Sequence, residues 1–500
     1  MPAARLSTAV VFVVAFWMRL LVPLTSRGLV ANYSYDASVY YSAGAAMIHG
    51  RVPYRDFILL HPPGVVLAVA PSAWIGRLTD DRTGFALAGL TFIILGAASA
   101  ALVVVIARRL GAGWRAAAAG GLFYALWLPS IRAEYVSRLE PLGNLLMLCG
   151  LLAYVGIDGP HPRRTAVLCG VALGAATSVK IWYAAPLAVV LGFLVARRRP
   201  RDAARALLGG IAAAVLICGP FFALASSDMW RMVVAEQVGR EPTNPLRGLI
   251  LLDPLPPELS WPAAGRIVAV LVTAIGALLV AAWRAPIIRL PAALLLTSGA
   301  VIMAAPSWFL SYLDFLAPAA ALCVATGAAA IAAASRTPGR RVHRAVAVAG
   351  ALVVLLALAA PTERLWYGRS RPSTALPAPE LASAVSDMPC VVSDSPMALI
   401  GLNALHRSLD NGCPNWIDVT GRTYASDMDV RSHDGSRVTR IENRRWQRIL
   451  FEYLSSGDAL IIVRADSAGI SPSTWSAIRR GGIVATDGTH VVYGVREGTG

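Results

Sequence analysis

Lysine is almost absent from this chain of 500 residues. Of the 45 basic residues, 44 are arginine, and Lys180 is the one lysine. Replacement of lysine by arginine is typical of a GC-rich genome, so the remaining lysine invites two interpretations. Its compact ammonium group suits the binding of a phosphate as a point charge. Alternatively, Lys180 is simply the last position to change, and its side chain extends to a membrane surface.

Charged residues are scarce as well, at 15% of the chain against 56% apolar residues, which excludes an ordinary soluble protein. Many apolar segments could cross a hydrocarbon core of roughly 30 Å. They lie near residues 8–26, 84–107, 114–130, 140–157, 206–225, 264–283, 290–305, 314–335 and 344–361, with two shorter ones that meet at Lys180 within 165–196. The sequence therefore predicts a polytopic α-helical membrane protein with about eleven transmembrane helices.

Short loops rich in arginine follow every second predicted span. They lie at residues 108–115, 163–164, 197–205, 284–289 and 336–344. By the positive-inside rule these loops are cytoplasmic, which predicts a cytoplasmic N-terminus, an extracytoplasmic tail and a location in the plasma membrane. The long loops 28–83 and 227–263 then face outward. In the first loop, helical spacing over 40–48 and 64–78 predicts amphipathic helices that lie on the membrane.

The net charge of +16 does not indicate nucleic-acid binding, because residues 362–500 carry fifteen arginines and fifteen acids. The excess lies in the membrane part, where topology and anionic lipid explain it. We predict a transmembrane catalytic domain over 1–361, a Ser-, Pro- and Ala-rich linker over 362–379, and a small extracytoplasmic α/β domain over 380–500. Strands are expected at 391–392, 459–463 and 490–495, and a helix at 440–454.

Six cysteines are present, and four of them lie in predicted spans as small apolar packing residues. The other two, Cys390 and Cys413, fall in the predicted outer tail, where disulfides persist. They form either a disulfide or two unpaired buried thiols. Arg19 interrupts the first span and no small-residue cleavage site follows, so we expect that span to remain as a helix.

Acidic and proline-rich motifs mark the first outer loop. Asp36 follows Tyr35 in the segment 33–40, at the point where a helix is expected to begin. There it could accept a proton from an attacking hydroxyl, or it could cap the helix. The motif Gly50-x-x-Pro53-Tyr54 follows, and then Pro62-Pro63-Gly64. This combination resembles the first outer loop of the GT-C superfamily of glycosyltransferases, in particular the branch of protein O-mannosyltransferases and the lipid A aminoarabinose transferase.

The resemblance covers roughly residues 1–335 and implies roles for several residues. Asp36 matches the acid that serves as base or metal ligand, with Tyr35 beside it. Glu140, in the segment that begins at Arg138, matches the second family acid, and Glu134 is the near alternative because one turn of misalignment with the family pattern would exchange them. Asp314 lies where relatives carry acceptor or donor contacts.

Three basic groups are candidates for binding the donor phosphate. Lys180 matches a family position between two short spans, where its ammonium would meet the charge that develops on the phosphate. Arg240 matches the arginine of a Gln-x-x-Arg stretch, and attraction to lipid headgroups is its alternative role. His61 could bind phosphate or metal, although a histidine beside prolines is more often structural. A divalent cation, Mg²⁺ or Mn²⁺, could be held by Asp36 with Glu140, which are hard oxygen ligands.

The function expected from these residues is an inverting transfer of a sugar from a polyprenyl-phosphate donor. Mannose and arabinofuranose are the expected sugar classes, and an envelope glycan, glycolipid or protein is the expected acceptor, all at the outer face of the membrane. A transporter or flippase of lipid-linked sugars is the alternative. It would place charges near the middle of the bilayer, whereas the predicted charges lie at its outer rim.

Overall fold

The computed structural model describes residues 2–25, 29, 34–240, 261–307, 309–334, 377, 379–424, 428, 430 and 438–495. The chain divides into two compact units. The first, which we call the helical unit, comprises Met1–Val22, Phe92–Gly219 and Val238–Ser370. The second, which we call the mixed unit, comprises Pro23–Thr91, Pro220–Gln237 and Arg371–Gly500. The predicted boundaries at 361 and 379 enclose a segment that lies almost entirely outside the described residues, so they stay predictions.

Most of the chain as far as residue 334 is helical. The helices are α1 (Pro2–Thr25), α2 (Tyr35–Ile48), α3 (Gly64–Leu78), α4 (Asp81–Arg109), α5 (Trp114–Leu126), α6 (Leu128–Glu134), α7 (Leu139–Val155), α8 (Pro162–Thr177), α9 (Ala184–Ala196), α10 (Pro200–Leu224), α11 (Ser226–Trp230), α12 (Glu236–Val238), α13 (Trp261–Arg284), α14 (Arg289–Ala304) and α15 (Ala317–Ala334). Tighter 3₁₀ turns occur at Ile181–Tyr183, Pro286–Ile288 and Leu310–Leu316, and a π turn at Arg231–Ala235.

Five helical segments in the described residues are long and apolar enough to cross a membrane. A sixth is obtained if α6 and α7, which are bent by 110° at a short break, form one span. Helices occur at every predicted span within the described residues, but several are shorter than a crossing requires. The predicted span 344–361 lies outside the described residues, and the number eleven stays a prediction.

Small residues bring the helices of the helical unit close together. A Cβ atom on Gly170 of α8 would collide with the backbone of Ala206 on α10, and one on Gly174 would collide with Gly210. Similarly, a Cβ on Gly120 of α5 would approach the α15 backbone oxygen of Ala321. Such contacts let backbones pack directly, which is typical of helices in membranes.

Helix α2 differs from the amphipathic surface helix that the sequence predicts. Its residues from Ala37 to Ala46 are all buried. The helix packs against α3 and, on the tail side, against Pro396–Gly401 and Leu405–Asp410. The prediction of a helix there was right, but the prediction that one face lies on the membrane was wrong for α2, because other elements of the mixed unit enclose it.

The tail contributes a small sheet with helices to the mixed unit. The strands β1 (Val391–Ser393), β2 (Ala459–Ile461), β3 (Ile483–Thr486) and β4 (Val491–Gly494) have the order β1-β2-β4-β3. Strands β1 and β2 are parallel, and the other two pairings are antiparallel. The tail helices are α16 (Pro379–Ala384), α17 (Pro396–Gly401), α18 (Leu405–Asp410), α19 (Arg444–Leu454), α20 (Ala465–Ala468) and α21 (Pro472–Arg479), with a 3₁₀ turn at Gly421–Tyr424.

Two devices stabilise this tail. The fully buried Trp446 of α19 packs in a core with Leu450, Val392 and Leu460, and its indole nitrogen donates to the Ala468 carbonyl at 2.8 Å. Cys390 and Cys413 form a disulfide, with their Cα atoms 5.6 Å apart. The structure thus has the first of the two cysteine arrangements that the sequence left open.

Candidate functional site

Lys180 lies at a break between two short helices of the helical unit. Helix α8 ends at Thr177, and Lys180 itself has an extended backbone, with φ −149° and ψ 125°, before the turn Ile181–Tyr183 leads into α9. A residue at such a break is not confined to one helix face. Its side chain can therefore turn into the interior of the unit, where Lys180 is only 3% exposed.

The ammonium of Lys180 is held by one carboxylate and two aromatic rings. Its Nζ donates to Oε1 of Glu140 at 2.7 Å. The same Nζ lies 3.7 Å from the ring centroid of Trp182 and 4.1 Å from that of Tyr312. Aromatic faces stabilise a desolvated cation, so this cage keeps a positive charge inside the protein. We call Lys180, Glu140, Trp182 and Tyr312 the ammonium cage.

Glu134 forms a second buried ion pair, with Arg19 of α1. The Nε and Nη2 atoms of Arg19 lie 2.7 and 2.5 Å from Oε2 of Glu134, and both side chains are 0% exposed. Arg19 also donates to the carbonyl oxygens of Ala15, Ala125 and Tyr124. Because one guanidinium reaches α1, α5 and α6 together, this pair ties three helices to one another.

A chain of hydrogen bonds connects the two ion pairs. The Tyr124 hydroxyl donates to Glu134 at 2.6 Å and accepts from the Asn144 amide at 3.3 Å. The Tyr183 hydroxyl, in turn, donates to Asn144 at 2.8 Å and lies 3.2 Å from the backbone oxygen of Glu140. Glu134 and Glu140, the two alternatives for the second family acid, therefore belong to one hydrogen-bond network. Their cationic partners differ, since Glu134 pairs with Arg19 and Glu140 pairs with Lys180.

Three other candidates in the helical unit have clear positions. Asp314, in the turn before α15, is buried, with Glu134 and Glu140 near enough to act on it electrostatically, and its backbone oxygen accepts from Asn144. Arg138 is half-buried at the position that precedes α7, and Arg240 is half-buried at the end of a described segment. Within the described residues, no group of three or more His, Cys, Asp or Glu side chains is arranged to hold a metal ion.

Asp36 belongs to the mixed unit, in the first turn of α2, and is exposed. Ser34 occupies the N-cap position, so Asp36 stands inside the helix rather than at its cap. Among the described residues, its carboxylate has no hydrogen bond or ion pair.

Tyr35, the neighbour of Asp36, is anchored to the tail. Its hydroxyl donates to Oδ1 of Asp418 at 2.8 Å and accepts from the Thr420 amide at 3.0 Å, while the guanidinium of Arg464 lies 3.9 Å from its ring centroid. Burial, and then the charge of Asp418, raise the pKa of Tyr35 well above its usual value, so the hydroxyl stays protonated. This anchor fixes the start of α2, and with it Asp36.

His61 has a structural setting in the same unit. Its ring packs edge-on against Tyr40, with 6.1 Å between the ring centroids, and its backbone oxygen accepts from the Tyr54 hydroxyl at 2.8 Å. Gln237, from the Gln-x-x-Arg stretch, donates to the preceding carbonyl of Leu60 at 2.7 Å. These bonds hold the proline-rich motif in place.

Sequence reasoning missed the partners that organise these charges. Arg19 was noticed only as an interruption of the first span, although an arginine within a span indicates a buried acidic partner. Asn144, Tyr124 and Tyr183 carried no comparable signal, because single polar residues in apolar helices are common. Trp182 and Tyr312 are separated by 130 positions, and only the fold brings their rings to one ammonium.

Comparisons with known proteins give consistent results. Residues 59–306, just under half of the chain, match the model of glycosyltransferase family 87. The fold is similar to that of ArnT from Cupriavidus metallidurans bound to undecaprenyl phosphate, with a TM-score of 0.56, 15% identity, and coverage of 99% of this chain and 98% of that one.

A second similar structure is the archaeal oligosaccharyltransferase AglB from Archaeoglobus fulgidus, in complex with an inhibitory peptide and a dolichol-phosphate. Its TM-score is 0.56 at 12% identity, with coverage of 93% of this chain and 70% of that one. No curated protein matches the chain in sequence. At such low identities, the structural similarities establish a shared fold.

Proposed function

We propose that the chain is a membrane glycosyltransferase of the GT-C superfamily and that it takes its sugar from a polyprenyl-phosphate donor. The match to glycosyltransferase family 87 and the shared fold support this proposal. The two similar structures were solved with undecaprenyl phosphate and with a dolichol-phosphate, which are lipids of this class. The sugar is of the mannose or arabinofuranose class. The acceptor is an envelope glycan, a glycolipid or a protein.

The ammonium cage is the observation that carries this proposal. A leaving phosphate gains negative charge as the glycosidic bond breaks, and a cation that is already oriented in a low-dielectric site stabilises that charge strongly. Lys180 meets this requirement because Glu140 and two rings fix its Nζ. In this role Glu140 positions Lys180, and Glu134 holds Arg19. Arg240 and His61 are further candidates for contact with the donor phosphate.

The reaction then proceeds in one displacement. The acceptor hydroxyl attacks the anomeric carbon and forms a new C–O bond, while the bond from that carbon to the phosphate oxygen breaks. The electron pair leaves with the phosphate, and the hydroxyl proton passes to the carboxylate of Asp36. Attack opposite the leaving group inverts the anomeric centre. If the reaction needs a divalent cation, the Asp36 carboxylate would be one of its oxygen ligands, and chelation tests that requirement.

We further propose that this chemistry occurs on the outer face of the plasma membrane, with the N-terminus in the cytoplasm. The arginine-rich loops support this orientation. The disulfide between Cys390 and Cys413 supports it independently, because such bonds persist outside the cytoplasm.

The test uses the purified full-length protein in lipid, with radiolabelled polyprenyl-phosphate mannose or arabinofuranose and an extract of envelope glycans as acceptor. We expect transfer by the wild type and a loss of transfer in Asp36→Asn and in Lys180→Met. Transfer undiminished in both variants would contradict the assigned residues. Movement of the labelled lipid across a sealed vesicle without any new glycosidic bond would instead support the flippase alternative, and a chelator arm tests the Mg²⁺ or Mn²⁺ requirement.

A further inference from the structure

The mixed unit contains a pocket of about 280 Å³ that none of the roles above uses. Its wall is built from three distant segments, at residues 54–58, 228–232 and 415–422, all of which belong to the mixed unit. This volume lies just below the range of roughly 300–1,000 Å³ that is usual for small-ligand sites. A pocket of this size fits the short end of a glycan rather than a lipid chain.

The charges around the pocket cancel. Three arginines and three aspartates line it, namely Arg55, Arg231, Arg422, Asp56, Asp228 and Asp418. Arg55 pairs with Asp56 at 2.8 Å, and Arg231 pairs with Asp228 at 3.1 Å. The hydrogen bond from Arg55 holds the pKa of Asp56 below its usual value. These partly exposed pairs leave the pocket with no excess of either sign, and they offer donors and acceptors to an uncharged ligand with many hydroxyl groups.

An aromatic ring forms part of the same wall. Trp416 is half-buried and stacks on Tyr453, with ring centroids 4.3 Å apart and an angle of 2° between the planes. The guanidinium of Arg422 lies 5.8 Å from the Trp416 ring centroid. A supported indole is a rigid apolar surface beside polar groups, and this combination matches a sugar ring, which has both C–H and O–H edges.

Two local features of the pocket wall cost free energy in the folded protein. Asn415 is 7% exposed, and neither its amide oxygen nor its amide nitrogen has a hydrogen-bond partner among the described residues. Buried amides without partners destabilise a protein, and a ligand hydroxyl could satisfy this one once the side chain turns toward the pocket. Tyr54, which also lines the pocket, has a left-handed backbone with φ 71°, a conformation that is rare for tyrosine and concentrates at functional sites.

We propose that this pocket, formed by 54–58, 228–232 and 415–422, binds an uncharged oligosaccharide as the acceptor subsite of the enzyme. The assignment of this saccharide as the acceptor rests on the proposed glycosyltransferase function, whereas the binding of a neutral saccharide does not. A loop motif and the tail would together recognise the glycan end. The acceptor class is then an envelope glycan rather than a peptide.

Binding is measured on the full-length protein in lipid nanodiscs, without any donor, by saturation-transfer NMR and tryptophan fluorescence. The probes are mannobiose, an arabinofuranose disaccharide and mannose 6-phosphate. We expect saturable binding of at least one disaccharide, and weaker binding of the phosphorylated sugar. Asn415→Leu should weaken disaccharide binding about tenfold or more, since it removes the hydrogen bonds but keeps the volume.

Asp228→Asn is the second variant, because the Asp228 side chain is 47% exposed and its substitution should leave the fold intact. It should also weaken binding, whereas the exposed control Asn411→Leu, which lies outside the pocket, should bind like the wild type. No saturable binding of either disaccharide would overturn the proposal. Unchanged binding in both pocket variants, or a preference for mannose 6-phosphate, would overturn it as well. Since no donor is present, these outcomes are independent of whether the protein transfers a lipid-linked sugar.

Discussion

The two units of this protein carry their charges in different ways. In the helical unit, Arg19 and Glu134 are fully buried, and the side chains of Lys180 and Glu140 are 4% and 3% exposed. Around the pocket of the mixed unit, the side chains of Arg55 and Asp56 are 49% and 31% exposed. A buried pair is costly to desolvate but acts strongly on a nearby charge, whereas an exposed pair contributes little energy. The first arrangement suits a phosphate, and the second suits a neutral glycan.

The two buried pairs also differ from each other. Arg19 bonds to three backbone carbonyls in addition to Glu134, so its contacts are those of a structural tie. Lys180 instead lies against the faces of two rings beside Glu140. We therefore expect substitutions at the first pair to affect mainly stability, and substitutions at the second to affect mainly catalysis.

The largest effect on activity is expected at Asp36. Asp36→Asn should lower kcat/KM about 10² to 10⁴-fold, because the amide cannot accept the acceptor proton. The melting temperature should barely change, since Asp36 is exposed and its carboxylate has no partner among the described residues. Steady-state transfer with a labelled donor measures the first quantity, and thermal unfolding in lipid measures the second. The exposed Asp387→Asn is the matched control. A large drop in stability would show that Asp36 is structural.

Lys180→Met should come next, with a loss of about 10² to 10³-fold in kcat/KM through loss of the preorganised cation. The single variant should also be destabilised, because Glu140 is left buried without its ammonium. The double variant Lys180→Met with Glu140→Gln should regain stability but not activity. If the double variant regains transfer as well, the cage has only a structural role.

Substitutions of the Arg19–Glu134 pair test whether this pair, unlike the Lys180–Glu140 pair, affects mainly stability. Arg19→Met should destabilise the helical unit by about 3–5 kcal/mol, since it leaves Glu134 buried and unpaired. Combination with Glu134→Gln should recover most of that loss, and the folded double variant should transfer within about threefold of the wild type. Thermal unfolding measures the change in stability, and the transfer rate per folded molecule measures the change in activity. A severe loss of activity in the stable double variant would identify Glu134 as the second catalytic acid.

The smallest effect concerns the mixed unit. Cys390→Ala with Cys413→Ala should lower its stability by about 3 kcal/mol, because the disulfide closes a loop between residues 23 positions apart. Reductant should lower the unfolding midpoint of the wild type to about that of the double variant, and it should leave the midpoint of the double variant unchanged. A reductant effect of equal size in both proteins would mean that another process is being measured.

Much of the architecture could be predicted from hydrophobicity, since apolar runs mark helices regardless of their neighbours. Helices occur at each predicted span within the described residues, and β1, β2 and β4 lie where strands were predicted. Strand β3 was missed because its side chains are mostly exposed and carry no burial pattern. The surface position predicted for α2 was wrong because alternating small residues look the same whether lipid or protein covers them.

The sequence by itself determined a membrane protein with one isolated lysine at a helix break, since hydropathy, charge asymmetry and composition are properties of local segments. It also indicated the acid-rich first loop and its resemblance to a glycosyltransferase. Only the tertiary structure decided which partners these residues have. The pairings of Arg19 with Glu134, of Lys180 with Glu140, and of Tyr35 with Asp418 join positions that are 115, 40 and 383 residues apart. Such contacts depend on how buried surfaces fit together, and no local pattern records that fit.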